Sequence, residues 1–213
     1  NSKRSLCLGG AKNHMIVVPD ADTDSTAKGL LASSMGSAGQ RCMAASVAVG
    51  VANIDHIIDQ LVEEARNFKL GVDMGTIISK SALDRITGYI DEAEKMGAKI
   101  LVDGRNNSPP DDYKQGYWLG ATILDGIDPD WPSAKEEIFG PVLSIIRADT
   151  IEEAMKIENN NPYGNAAAVF TTSGQIAKVV SEKASAGMVG INIGVPVPRD
   201  PYSFGGWNES KYG

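Results

Sequence analysis

The side chain of this chain best suited to covalent chemistry is Cys42, which ends the sequence Gly-Gln-Arg-Cys at residues 39–42. It follows a run of small residues, 33–38, which offers little side-chain bulk. A thiolate attacks carbonyl carbon well, and a fraction of an unperturbed thiol is ionised near neutral pH. A cysteine can equally be a small buried hydrophobe. Taken alone, Cys42 is therefore a candidate nucleophile or a core residue.

The two histidines, His14 and His56, are the other side chains that could assist a thiol. The sequence places His56 on the polar side of a predicted helix and His14 in a predicted Lys-Asn-His turn. We therefore expect neither histidine to pair with Cys42. No cysteine–histidine spacing resembles a zinc site, so no metal is predicted.

Short apolar runs alternate with helical patterns along the chain, which is typical of an α/β fold. The predicted strands are residues 15–18, 44–51, 99–102, 118–124, 142–146, 166–170 and 188–193. The predicted helices are residues 22–37, 54–68, 79–97, 150–158 and 174–185. The last twenty residues contain so many prolines and glycines that they can form no long regular element. The sequence thus predicts one α/β domain with a mostly parallel sheet flanked by helices.

Composition excludes several classes of function. With 213 residues, 42% hydrophobic and 22% charged, the chain has the composition of an ordinary globular domain. Its formal charge of -7 and lack of a dense basic cluster argue against a nucleic-acid partner. No apolar run approaches the roughly 20 residues that cross a bilayer. Two cysteines, Cys7 and Cys42, indicate a reducing compartment and no disulfide scaffold.

Three segments taken together identify a family. They are Gly-Gly-Ala-Lys-Asn-His at residues 9–14, Gly-Gln-Arg-Cys-Met-Ala at 39–44 and Lys-Glu-Glu-Ile-Phe-Gly-Pro-Val at 135–142. In this order they resemble the aldehyde dehydrogenase superfamily, and residues 161–164 and 203–206 agree. The resemblance covers essentially the whole chain and implies that superfamily's catalytic-domain fold.

The resemblance implies roles for three residues. Cys42 would attack an aldehyde to form a thiohemiacetal, and its backbone N–H would be one donor to the oxyanion. Glu137 and Phe139 match the positions that hold the nicotinamide end of NAD, the carboxylate accepting from ribose hydroxyls and the ring packing beside the nicotinamide. Without the resemblance, Glu137 and Phe139 would be a helix-end charge and a core aromatic.

The motifs also resemble one branch of the superfamily, which oxidises malonate and methylmalonate semialdehydes and transfers the acyl group to coenzyme A. Hydrolytic members carry a glutamate just before the glycine pair, where this chain has Leu8 or Cys7, depending on the alignment. Neither is a general base, and losing such a base costs roughly 10²- to 10⁴-fold in the step it serves. Coenzyme A is therefore the predicted acyl acceptor.

Arg41 and Phe204 are the predicted substrate-binding residues. The Arg41 guanidinium could hold a substrate carboxylate in a bidentate clamp and would favour the thiolate form of Cys42. The other interpretation is a surface arginine, or one tied to a neighbouring strand. Phe204 matches a family aromatic that lines the aldehyde channel, and a core role is equally open. The expected substrate is a small aldehyde that carries a carboxylate.

The resemblance makes residues 1–213 the catalytic domain of a longer enzyme whose NAD-binding domain lies elsewhere. We expect this chain alone to bind NAD poorly and to be inactive without that domain. The full-length protein is expected to be a homo-oligomer in a bacterial cytoplasm or a mitochondrial matrix. Two alternatives are a hydrolytic aldehyde dehydrogenase that uses another base, and a non-catalytic oligomerisation module with the same fold.

Overall fold

A computed structural model describes residues 5–212 of the chain. Its strands are β1 (Cys7–Leu8), β2 (Asn13–Val17), β3 (Ala45–Val51), β4 (Lys99–Val102), β5 (Thr122–Asp125), β6 (Val142–Ala148), β7 (Tyr163–Gly164), β8 (Ala166–Phe170), β9 (Met188–Ile191), β10 (Trp207–Asn208) and β11 (Lys211–Tyr212). Its helices are α1 (Thr23–Met35), α2 (Asp55–Arg66), α3 (Lys80–Met96), α4 (Pro132–Lys135), α5 (Ile151–Asn159) and α6 (Gly174–Lys183). None of these helices is both long and apolar enough to span a membrane.

Seven strands form one sheet in the order β4-β5-β6-β3-β2-β8-β9. All neighbours are parallel except β4 and β5, so the predicted α/β domain with a mostly parallel sheet is confirmed. At the centre, Ile16 lies opposite Val49 on one side and Val169 on the other. All five residues of β2 are buried, as expected where helices cover both faces of a sheet. Two small antiparallel pairs, β1 with β11 and β7 with β10, lie outside this sheet.

The predicted helix ends are set by local capping. The side chains of Asp22, Ser79 and Thr150 each accept the backbone N–H three residues further along, which satisfies a donor that the first helical turn leaves free. Helix α3 ends at Gly97, whose φ of 108° is left-handed. Each cap is a local signal, and each lies at the first or last residue of a helix range predicted from the sequence.

The predicted strand 118–124 is shorter in the structure, where β5 begins at Thr122. The backbone N–H of Gly120 donates to the carbonyl of Gly104 at 3.0 Å, and not to a neighbouring strand. The apolar residues ahead of Thr122, Leu119 and Ala121, are buried in the hydrophobic core without belonging to a strand.

The predicted strand 188–193 ends at Ile191. Asn192 has a φ of 54°, and its side-chain amide bonds both backbone groups of Thr171 at 2.8 Å. This side-chain pairing replaces the sheet hydrogen bonds that a longer strand would make.

The family motifs lie in loops that lead into parallel strands. These loops precede β2, β3, β6 and β8, at residues 9–12, 36–44, 136–141 and 161–165. Because the strands are parallel, the four loops meet at one side of the sheet, which we call the amino edge.

Candidate active site

Close contacts bring three motif segments together at the amino edge. The backbone N–H of Ala11 lies near the Glu137 carboxylate and acts to lower its pKa. Two residues further on, the Asn13 side-chain amide donates to the Cys42 carbonyl at 2.9 Å. Residues 11–13 therefore link the candidate cofactor residue to the candidate nucleophile.

The Cys42 side chain is exposed, so it is not the buried hydrophobe of the first alternative. Its carbonyl accepts from the side chains of Asn13, at 2.9 Å, and Asn165, at 3.0 Å. The preceding carbonyl, that of Arg41, accepts the Ala44 N–H at 2.9 Å. Within the described part of the chain the Cys42 N–H has no acceptor. An exposed sulfur beside an N–H without an acceptor is an arrangement that can bind a carbonyl group and stabilise its oxyanion.

The loop before Cys42 has an unusual backbone. Ser37, Ala38 and Gly39 have φ values of 56°, 52° and 65°, all in the left-handed region. The helix predicted over 22–37 therefore stops at Met35. Gln40 fixes the far side of the loop, because its amide donates to the Thr76 carbonyl at 3.0 Å. Left-handed conformations of non-glycine residues are costly and persist where surrounding contacts enforce them, often at functional sites.

The segment that carries Glu137 and Phe139 is held by α3. Arg85 donates to the Ile138 carbonyl at 2.6 Å, which fixes the backbone between the two candidate residues. Burial raises the pKa of Glu137, while the Ala11 N–H opposes that shift. Phe139 has a φ of 55° and keeps 38% of its surface exposed, so it is not a core aromatic.

These two side chains fit the nicotinamide ribose end of NAD. The Glu137 carboxylate is half-buried near the Ala11 N–H, and its lone pairs can accept from ribose hydroxyls. The exposed face of Phe139 lines a cleft of about 570 Å³ that also contains Gln40. Neither Glu137 nor Cys42 is among the residues that line this cleft, so a joint role of Glu137 and Phe139 in holding NAD stays a prediction.

Arg41 is exposed, and its Nη2 donates to the carbonyls of Ala32 and Ser33, both at 3.1 Å. These carbonyls belong to the last turn of α1, where a cation is favourable. The residue is thus tied to a helix end and not to a strand. Its Nη1 and Nε groups have no acceptor among residues 5–212 and can still donate to a carboxylate.

Phe204 is half-buried in the loop between β9 and β10. Gly206, two residues further on, passes close to Asn165, because a Cβ on Gly206 would lie 3.3 Å from the Asn165 Cα. Phe204 therefore lies two residues from a segment that contacts the amino edge. Its role in an aldehyde channel stays a prediction.

Lys12 is a buried lysine that sequence reasoning did not single out. It is 1% exposed, and its Nζ has no hydrogen-bond partner in the part of the chain that the structure describes. Burial lowers its pKa to about 7, while the charges of Glu137 and Glu136 oppose that shift. The amino edge thus contains an amine that can change protonation state near neutral pH.

Four further residues escaped the sequence analysis: Asn13, Asn165, Arg85 and Tyr89. The two asparagines donate to the Cys42 carbonyl, and Tyr89 hydrogen bonds to Glu136. Arg85 and Tyr89 are four residues apart on α3, so their shared helix face was predictable, but not the loop that they contact.

The histidines take no part with Cys42 in the described structure. His14 lies in β2, and not in a turn, and is 3% exposed. Its Nδ1 is 2.9 Å from the Lys12 carbonyl, and burial lowers its pKa to about 4. His56 is exposed on α2. No group of three or more metal-binding side chains occurs among residues 5–212.

Comparison with known proteins agrees with this geometry. The aldehyde dehydrogenase family model matches residues 1–213, so the chain belongs to the aldehyde dehydrogenase family. The family predicted from the motifs is therefore confirmed.

Among individual relatives, the chain is 41% identical to malonate-semialdehyde dehydrogenase of Pseudomonas aeruginosa, over 99% of this chain and 44% of that protein. It is 42% identical to the mitochondrial methylmalonate-semialdehyde/malonate-semialdehyde dehydrogenase [acylating] of Rattus norvegicus, over 100% of this chain and 41% of that protein. A structure from Sinorhizobium meliloti, complexed with NAD and provisionally described as methylmalonate-semialdehyde dehydrogenase, superposes with a TM-score of 0.95 at 43% identity. The superposition covers 100% of this chain and 45% of the Sinorhizobium meliloti chain. The chain thus spans less than half the length of these relatives.

Proposed function

We propose that this chain is the catalytic part of an NAD-dependent semialdehyde dehydrogenase that transfers its acyl product to coenzyme A. The observation that supports this most is the exposed Cys42 thiol beside its own N–H, which has no acceptor in the described part. The names of similar proteins support malonate or methylmalonate semialdehyde as the substrate.

In the proposed reaction, the Cys42 thiolate attacks the aldehyde carbon. The new S–C bond converts the carbonyl to an oxyanion, which the Cys42 N–H stabilises; one such donor is worth about 10²- to 10³-fold in rate. NAD, when bound, accepts the aldehyde hydrogen as hydride, and a thioester on Cys42 remains. Glu137 and Phe139 would hold the nicotinamide ribose end, and Arg41 would bind the substrate carboxylate.

The way in which the acyl group leaves Cys42 distinguishes an enzyme that transfers it to coenzyme A from one that hydrolyses it. In the described structure no carboxylate hydrogen bonds to the Cys42 thiol, and the residues at the position of the hydrolytic glutamate, Leu8 or Cys7, lie exposed on β1. The thiolate of coenzyme A would attack the thioester, form its own S–C bond and release the Cys42 thiolate. A hydrolytic enzyme is the second candidate, because Glu137 is a half-buried carboxylate on one of the loops that meet Cys42 at the amino edge, and a carboxylate can act as a general base.

The test uses acyl transfer without NAD. We expect p-nitrophenyl acetate to acetylate Cys42 once, as seen by intact mass and peptide mapping, and added coenzyme A to remove the acetyl group faster than buffer does. Cys42→Ser should not form the thioester. Cys7→Ser is the matched control, because Cys7 is also an exposed thiol.

Each other outcome contradicts a defined part of the proposal. Equal labelling of Cys7 and Cys42, or an unreactive Cys42, would favour a non-catalytic module. An acetyl group that leaves equally fast without coenzyme A would favour hydrolysis. Glu137→Gln would then show whether Glu137 is the base, because that variant should keep the acetyl group.

We also propose that residues 1–213 are the catalytic domain and that most NAD contacts come from outside them. The share of the relatives that the chain spans supports this division. The longer enzyme is proposed to be a homo-oligomer of a bacterial cytoplasm or a mitochondrial matrix. Strongly exposed apolar side chains, such as Val72 and Ile78 at 80% each, are suited to such contacts.

A further inference from the structure

Two buried asparagines hold a single carbonyl oxygen, that of Cys42. Asn13 is 0% and Asn165 6% exposed, and their Nδ2 atoms lie 2.9 and 3.0 Å from this oxygen. The orientation of the Asn13 amide is fixed, because Nδ2 also donates to the Ala44 carbonyl while Oδ1 accepts the Ala166 N–H. The reversed amide would place its oxygen against two carbonyls. We call Asn13 and Asn165 the carbonyl clamp.

Cys42 lies between two peptide planes, and both are fixed. The carbonyl clamp holds the plane after Cys42, and the turn closed by the bond from the Ala44 N–H to the Arg41 carbonyl holds the plane before it. On one side, the two amides occupy both lone pairs of its carbonyl. On the other side, the Arg41 carbonyl is bonded to the Ala44 N–H. Because C=O and N–H point in opposite directions across a trans peptide, the Cys42 N–H is directed away from the Arg41 carbonyl. Its direction is thus set by contacts on both sides of the residue.

We propose that Asn13 and Asn165 are positioning residues that hold the Cys42 N–H and sulfur in the arrangement needed for attack on a carbonyl. This role rests on the proposed function of Cys42 as the nucleophile. The amides do not touch the reacting atoms and act through the backbone. The two residues begin or precede neighbouring strands, β2 and β8, so the sheet itself sets their separation.

The clamp can be observed directly at the Cys42 carbonyl. The chain has two cysteines, so Cys7→Ser protein grown with [1-¹³C]cysteine carries one labelled carbonyl, at residue 42. Loss of a hydrogen bond raises the stretching frequency of a carbonyl. We expect Asn13→Leu and Asn165→Leu to raise the frequency of the labelled band. The control is Asn67→Leu, which removes an amide that donates to the Glu63 carbonyl, and should leave the band unchanged.

The second measurement is the rate of Cys42 acetylation by p-nitrophenyl acetate in the same proteins. A displacement of about 1 Å at a reacting group can cost 10²-fold, so we expect Asn165→Leu to slow acetylation at least about tenfold. Asn67→Leu should react at the wild-type rate. Circular dichroism of each variant separates this effect from unfolding.

The outcomes distinguish the clamp from the proposed function. An unchanged band in both asparagine variants would show that the clamp does not exist. A shifted band with an unchanged acetylation rate would remove the positioning role and leave Cys42 as the nucleophile. An unreactive Cys42 in the wild-type protein would overturn the proposed function and the positioning role together, while the band would still report the hydrogen bonds.

Discussion

The two edges of the parallel sheet differ in how their loops and charged groups are held. We call the side opposite the amino edge the carboxyl edge; its loops follow β2, β3, β6 and β8, at residues 18–22, 52–54, 149–150 and 171–173. There Asp22 and Thr150 cap the helices that follow them, through bonds that span three residues. At the amino edge, the two bonds to the Cys42 carbonyl span 29 and 123 residues.

Long-range bonds occur at the carboxyl edge too, and there they satisfy a charged group. At the carboxyl edge, the Asp20 carboxylate is exposed and accepts from the hydroxyls of Thr171 and Thr172 at 2.9 and 2.8 Å. The amino edge contains Lys12, which is buried and has no hydrogen-bond partner among the described residues. The carboxyl edge follows the ordinary rules of stability, whereas the amino edge departs from them where chemistry is proposed.

The largest expected effect comes from adding one methyl group at Gly39. Its φ of 65° disfavours alanine, and a Cβ there would overlap the Gly140 carbonyl oxygen. We expect Gly39→Ala to slow acetylation of Cys42 by about 10²-fold, because the loop must move. Stopped-flow release of p-nitrophenol measures the rate.

The matched control is Gly126→Ala, just after β5. Gly126 also has a positive φ, 73°, but a Cβ there meets no atom within 4 Å. In this variant only the strain of a left-handed alanine should be added, so it should lose about 1 kcal/mol of unfolding free energy and keep its acetylation rate. Equal acetylation rates in the two alanine variants would contradict the special role of the amino edge.

The next effect is a pH-dependent gain in stability on removing Lys12. Burial lowers the pKa of this lysine from 10.5 to about 7 in the folded protein. Between these values the unfolded chain binds more protons, so Lys12 makes stability rise with pH from about 7 to 10.5. We expect Lys12→Met to be more stable than the wild type at pH 7, with a difference that shrinks toward pH 10.

Urea unfolding at pH 7, 8.5 and 10 measures this difference. Lys28→Met is the control, because Lys28 is an exposed lysine in a surface pair with Asp24 and its removal should change little. If Lys12→Met is less stable than the wild type at pH 7, the Lys12 ammonium has a stabilising partner in the folded protein.

The sequence was sufficient to predict the parts of the fold that depend on local signals. The apolar run at residues 15–18 and the cap at Ser79 each specify an element from a few neighbouring residues. The predicted strand over 118–124 was too long because the contact between Gly104 and Gly120 joins separate parts of the chain. Local patterns contain no information about such contacts.

The candidate site was predictable only where one residue type suggests one chemistry. Cys42 has a reactive side chain, so its type already made it a candidate, and the family motif added Glu137. The amides of Asn13 and Asn165 and the amine of Lys12 gave no such signal, because their roles arise from burial and from partners far away in the sequence. That information exists only after folding.

The smallest expected effect is at the carboxyl edge and concerns stability alone. Partial burial would raise the pKa of Asp20, but hydrogen bonds from Thr172 and Thr171 outweigh it, and the pKa is lowered below 3.8. The stabilisation is therefore present at neutral pH and is lost as pH falls through the lowered value.

We expect Asp20→Asn to lose about 0.5–1.5 kcal/mol of unfolding free energy at pH 7, measured by urea unfolding, because weaker neutral hydrogen bonds replace charge-assisted ones. The difference should shrink as the pH falls through the lowered pKa of Asp20, and acetylation of Cys42 should keep its wild-type rate. A slower acetylation in Asp20→Asn would show that the two edges are coupled through the sheet and do not act independently.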